Sequence, residues 1–175
     1  MSNQQNRSIY LAGPDVFWPN AVELGAAKKA LCLRYGFSGH FPLDTELDIE
    51  GLQPFPAGIA IYQANINIMD CCDIIIANMT PFRGPSMDVG TAFEMGYMAA
   101  QQKIIWGYSL DGQLYSNRIE GTATDQDGYT IESFDMADNL MMIGATENSG
   151  GVLTESLPQT LENHLRVFEK VLQQL

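Results

Sequence analysis

DIIIANM, Asp73–Met79, is a continuous apolar run containing three consecutive isoleucines. A strand that buries one face alternates apolar with polar residues. An unbroken β-branched run buries both faces, as strands do inside a parallel sheet covered by helices. Just before it, Ile59–Met69 sets Ile61, Ala64, Ile68 and Met69 at helical spacing. After it, the loop NMTPFRGPSMD leads into a second helical stretch, Met87–Gln101, and then into KIIWG, Lys103–Gly107, the next strand. Further upstream, IYLAG at Ile9–Gly13 reads as a buried strand stopped by Gly13-Pro14, and Ala21–Tyr35 as the helix that follows it and ends at Gly36. Downstream, Asp111–Asp138 has the Gly, Thr, Asp and Ser content of a long connection or flap. Leu140–Ile143 reads as a further strand, and Leu161–Leu175 as an amphipathic closing helix.

Strands alternating with helices predict an α/β fold: an open, doubly wound, flavodoxin-like or Rossmann-like sheet of five mostly parallel strands flanked by helices. Ligands bind such sheets beyond the carboxyl ends of the strands. Three loops therefore carry the functional question: AGPDVFWPN, the stretch around FPLDTELD, and NMTPFRGPSMD.

At 175 residues the chain fits one domain over 9–175, behind a polar tail at 1–8 that reads as disordered. It is 46% hydrophobic and 17% charged, the balance of a chain that buries a core. A net charge of −12 with nine basic residues argues against a nucleic-acid partner, because displacing phosphate counterions needs clustered Lys and Arg. There is no basic-then-apolar leader and no run of about 18 apolar residues, so the sequence points to a cytoplasmic protein without membrane contact. The three cysteines lack disulfide or metal-site spacing and read as buried thiols. With two histidines, His40 and a His164 placed on the surface of the last helix, no metal-ligand cluster forms, and neither metal nor cofactor is expected.

The stretch MDVGTAFEMGYMAAQQ, Met87–Gln102, carries just two charges, Asp88 and Glu94. A helical Glu commonly pairs with Lys or Arg three or four residues away, whereas Glu94 has Gly90 and Thr91 before it and Tyr97 and Met98 after it. With Phe93, Gly96, Tyr97 and Ala100 as the packing stripe, Glu94 sits at the edge of an apolar face. That suits a nucleophile as well as it suits a solvated surface residue. Asp88 stands where an N-cap belongs and meets Glu94 only by folding over the cleft. Tyr10, near the end of the first strand, needs a partner for its hydroxyl, and a carboxylate in the cleft would serve.

Together, IYLAGPDVF, FPLD at Phe41–Asp44, DIIIANMTPFRGPSMDVGTAFEMGY and ADN at Ala137–Asn139 resemble the nucleoside 2-deoxyribosyltransferases over most of the chain from Ser8 to about Gly144. The resemblance implies transfer of a 2-deoxyribosyl group between nucleobases through a covalent intermediate on Glu94. Tyr10 would orient the carboxylate and Asp88 would contact the sugar. Phe17 would line the base pocket with Val16 and Trp18 close by, and Gly13 and Glu46 would join the substrate-binding set. It also implies a homo-oligomer, a dimer or a larger ring of dimers, in which Asn139 completes the neighbouring site. Asn65 stands where several members carry an aspartate, and an amide cannot deliver a proton to a leaving base at neutral pH. The substrates would be a 2'-deoxynucleoside and a free nucleobase.

Two rivals stay open. A deoxynucleoside 5'-monophosphate N-hydrolase would need a phosphate cradle; Ser86 and Arg83 offer one, whereas Asp15 in the first loop should repel phosphate. A noncatalytic nucleoside sensor would need no carboxylate chemistry. Dinucleotide and P-loop binding are disfavoured, since neither glycine motif is present.

Overall fold

The computed structural model describes residues 7–45 and 47–175. Five strands, β1 (Ser8–Ala12), β2 (Ser38–His40), β3 (Ile74–Asn78), β4 (Ile104–Ser109) and β5 (Gly151–Thr154), form one sheet in the order β2-β1-β3-β4-β5. Every neighbouring pair is parallel. The helices are α1 (Ala21–Arg34), α2 (Pro54–Cys71), α3 (Val89–Ala100), α4 (Leu140–Glu147) and α5 (Leu161–Leu172). This is the expected doubly wound fold, and its strand order reverses between β1 and β3. Chain leaving those two strands diverges to opposite sides and opens a crevice at their carboxyl ends.

The two-residue period of the strands sorts the core into two halves. Ile9 and Leu11 of β1, with Ile74 and Ile76 of β3, pack toward Leu31 of α1 and Val167, Phe168 and Val171 of α5. Tyr10 and Ala12, with Ile75 and Ala77, face the other way, toward Met69 of α2, Met95 and Met98 of α3 and Ile143 of α4. Alternation thus delivers Tyr10, fully buried, to the face that α3 covers.

Several expectations from sequence need correction. Leu140–Ile143 is the first half of α4: Asn139 caps it by accepting the Met141 N–H at 3.0 Å, and a four-residue apolar run carries no period of its own to oppose that cap. The fifth strand is Gly151–Thr154 instead, where Gly151 lies against the Trp106 ring. The second strand, SGH, has no apolar signature because it is a half-exposed edge. Along α3 the packing stripe is Thr91, Met95 and Met98, whereas Phe93, Gly96 and Ala100 face outward. On α2 Ala64 and Met69 are buried, Ile68 is half-buried and Ile61 is largely exposed. Residues 1–6 of the expected tail lie outside the described residues, while Ser8 already belongs to β1 and donates its N–H to Asp73 at 2.8 Å. Of the cysteines, Cys32 and Cys72 are buried and Cys71 is exposed.

Asp111–Asp138 is a long connection with one 3-10 turn, Tyr115–Arg118. Arg118 secures it by donating to the carbonyls of Gln113 and Ala137 at 2.8 Å and pairing with Asp111 at 3.2 Å. Among the described residues, no helix is long and apolar enough to cross a membrane.

Candidate active site

At the crevice between β1 and β3 lies a cavity of about 330 Å³. Gly13, Val16 and Phe17 from the loop after β1 form one wall, Ile61 and Asn65 of α2 another, and Asp88, Thr91 and Glu94 at the start of α3 the floor. Pro42 and Leu43 of the FPLD turn complete it. The turn is held by Asp44, which accepts the Phe41 N–H at 2.9 Å and pairs with Lys29. Four of the sequence-predicted substrate and acid positions besides Glu94 therefore meet in one place: Gly13, Phe17, Asn65 and Asp88.

Glu94 is half-buried one helical turn into α3. Its Oε1 accepts the Tyr10 hydroxyl at 2.6 Å, a short charge-assisted bond. Among the described residues no cation pairs with it and Oε2 has no protein partner. Burial pushes the carboxyl up to about 7; the Tyr10 bond acts against that shift and the negative charge of Asp88 adds to it. Burial, and then the Glu94 charge, push the Tyr10 hydroxyl far above its ordinary value, so it stays a neutral donor.

Asp88 both caps α3 and lines the cavity that Glu94 faces. Its Oδ2 caps α3, accepting the Thr91 N–H at 2.9 Å and the Thr91 hydroxyl at 3.0 Å. The cap fixes it at the cavity rim with Oδ1 unengaged among the described residues, which is how two carboxylates six residues apart reach one site. The loop before it is tied down by buried Asp138, which accepts the Met87 N–H at 3.0 Å and the Ser86 hydroxyl. Asp138 of the ADN motif therefore braces the loop that leads into α3, a function its spacing did not announce.

Asn65 presents to the cavity a side chain whose Oδ1 is buried without a hydrogen-bond partner. A buried acceptor left unmade costs about 1–3 kcal/mol, and such a group is one a bound ligand can satisfy. Gly13 is glycine for a steric reason: its φ is 149°, and a Cβ there would come within 2.7 Å of Asn78 Cβ. Phe17 stacks on Phe82 with ring centroids 5.5 Å apart, and the Arg83 guanidinium lies over both rings at 5.1 and 4.6 Å.

Other predicted positions do not meet Glu94. Asn139 is occupied at the α4 N-terminus, where its Nδ2 donates to both Glu132 carboxylate oxygens at 3.0 Å. Trp18 turns into a separate cavity of about 150 Å³ beside His164. Glu46 lies outside the described residues. His164 is not a surface residue: it is buried, and burial pushes its pKa down to about 4, so the ring is neutral near pH 7. Asp15, expected to repel phosphate, is buried in an ion pair with Lys28. That pair is fully inside the protein, both side chains 1% exposed, and thirteen residues of separation gave no pattern by which to find it. No group of His, Cys, Asp and Glu among the described residues is arranged to hold a metal ion.

Comparison with known proteins identifies the family and the fold. The sequence profile of the nucleoside 2-deoxyribosyltransferase family matches residues 9–141. An uncharacterised protein of Schizosaccharomyces pombe is 34% identical over 165 residues, covering 82% of this chain and 78% of that one. The solved 2-desoxiribosyltransferase from Leishmania mexicana superposes with a TM-score of 0.67 at 29% identity, over 91% of this chain and 97% of that one. A 2-deoxyribosyltransferase from Bacillus psychrosaccharolyticus shares the fold, with a TM-score of 0.51 at 17% identity over 75% of this chain and 96% of that one.

Proposed function

Because the chain belongs to the nucleoside 2-deoxyribosyltransferase family, we propose that it exchanges the base of a 2'-deoxynucleoside for a free nucleobase through an ester between Glu94 and the sugar. The observation that carries this reading is the Tyr10 hydroxyl bonded to one Glu94 oxygen, in a cavity where no cation among the described residues neutralises the carboxylate.

Departure of a base from C1' develops oxocarbenium character on the sugar, which an adjacent anion stabilises and then captures. Tyr10 holds Oε1 and leaves Oε2 to approach C1'. The C1'–N bond breaks as the C1'–O bond forms, and the leaving base takes up one proton. An incoming base then attacks C1' through nitrogen, releases the Glu94 carboxylate and loses one proton, so the exchange is neutral overall. Asp88, fixed by its cap, contacts the sugar. Asn65 hydrogen-bonds the base by accepting an N–H with Oδ1, which suits recognition but not proton delivery. Phe17 covers the ring.

The ionised carboxylate is the nucleophile, so the rate should climb with pH through about 7, the value that burial gives Glu94. The protein is further proposed to work as a homo-oligomer. Phe55, Ile59 and Tyr62 on α2 and Phe93 on α3 are exposed, with Tyr62, Phe93 and Tyr97 in ring contact at 6.2 Å. Apolar surface of this kind marks an association face. For Asn139 to reach the sugar bound by a neighbouring copy in such an assembly, its Nδ2 must be released from Glu132.

The direct test is deoxyinosine supplied with adenine. Deoxyadenosine should form faster than free deoxyribose, and predominant sugar release would overturn the transferase reading. Preference for the 5'-monophosphate over deoxyinosine would favour a nucleotide hydrolase instead.

A further inference from the structure

Behind the first loop, on the side away from Glu94, five polar side chains from five parts of the chain meet in the interior. Lys28 of α1 pairs with Asp15 and donates to the Tyr108 hydroxyl of β4 at 2.8 Å. Asn78, the last residue of β3, donates to the other Asp15 oxygen at 2.8 Å and to His164 Nδ1 of α5 at 3.4 Å. The amide orientation is fixed, because Asn78 Oδ1 accepts the Thr80 backbone N–H at 3.1 Å and a backbone N–H can only donate. Both Asp15 oxygens are therefore engaged, and His164 takes part as a neutral acceptor. Lys28 Nζ also lies 5.1 Å from the Tyr108 and Phe168 ring centres.

Burying two charges costs several kcal/mol each, and a well-packed apolar pair would stabilise the fold as well or better. What an ion pair supplies that apolar contacts do not is a single geometry. Asp15 is followed directly by Val16 and Phe17, which line the Glu94 cavity, as does Gly13 two residues before it. It is the one residue of its 3-10 turn that is buried.

We propose that the Asp15–Lys28 pair positions the Val16–Phe17 wall over the sugar, and that it thereby sets how the glycosyl enzyme divides between an incoming base and water. This rests on the transferase reading above and adds a specificity-determining pair to it. Neither residue touches substrate; they act through the wall. Water that reaches C1' before a base yields free sugar, so a wall that wanders should raise hydrolysis at the expense of exchange.

The test compares the wild type with Lys28→Met and with the uncharged double variant Asp15→Asn/Lys28→Met. The double variant keeps the shape of the site and strands no charge, so it serves where the single variant fails to fold. Deoxyinosine and adenine are supplied together, and the ratio of deoxyribose released to deoxyadenosine formed is read for each protein. A smaller folded fraction lowers both products equally and leaves this ratio unmoved, so a merely structural role has no effect on it. The ratio should rise several-fold in either variant, with a higher KM for adenine. An unchanged ratio in a folded, active variant would overturn the proposal. A wild type that releases sugar without exchanging bases would instead overturn the transferase reading.

Discussion

Asp15 and Glu94 are two carboxylates at the same edge of the sheet, withdrawn from water and treated in opposite ways. Asp15 has a lysine on one oxygen and an amide on the other, so neither oxygen is free for chemistry. Glu94 has one neutral hydroxyl, a neighbouring carboxylate and a free oxygen facing a cavity. Burial alone does not make an acid reactive. The proposed nucleophile is the one that, among the described residues, has no cation and faces a cavity a substrate can enter.

The sharpest way to break the contrast is to remove the proposed nucleophile. Glu94→Ala should lower base exchange by about three orders of magnitude or more while nucleoside binding, read by calorimetry, persists. Removing the structural acid should act on the fold instead. Asp15→Ala strands the buried Lys28 charge and should cost about 3–5 kcal/mol in urea denaturation, an amount that Glu94→Ala will not approach. Next comes the hydroxyl that distinguishes the site: Tyr10→Phe should cost about ten- to a hundredfold in turnover, as expected for losing a hydrogen bond to a charged group. Because the Tyr10 bond lowers the Glu94 value, the same variant should move the rising limb of the pH–rate profile to higher pH. A profile unmoved by Tyr10→Phe would show that Glu94 is not the titrating group.

The smallest effect concerns stability. The folded value of Glu94, about 7, lies above its ordinary 4.5, so folding favours the protonated acid. Its contribution is full below about 4.5 and fades as pH rises through about 7. Glu94→Gln should therefore stabilise the protein at neutral pH by on the order of 1–3 kcal/mol, with the gain vanishing near pH 4, while activity is lost. Paired melting curves at the two pH values check it.

The same contrast explains what could be read from the sequence. Glu94 was legible because the helical neighbours that would neutralise a surface carboxylate are missing. Tyr10 was legible because a strand interior gives a phenol nowhere else to turn. DIIIANM carries a buried central strand on its face. Asp15 and Lys28 were opaque, since nothing in AGPDVFWPN or in the pattern of α1 says that two charged residues are sealed together inside. His164 was misplaced for the same reason: its burial depends on Asn78 and Tyr108, far away in sequence. Along α3 the bulky Phe93 and Tyr97 suggested a packing face, but the slimmer Met95 and Met98 fill the core, Tyr97 packs against it only in part, and the Phe93 ring lies outside on the apolar surface shared with α2. SGH escaped because an edge strand of three residues needs no apolar pattern.

The central claim is that Glu94 itself bonds to the sugar. Incubating the protein with a 2-fluoro-2-deoxy-arabinosyl nucleoside slows release of the glycosyl group, and peptide mass spectrometry then finds where it is attached. The label should sit on the peptide containing Glu94 and be discharged by added base. A label on any other residue, or an unlabelled protein that still exchanges bases, would contradict the account.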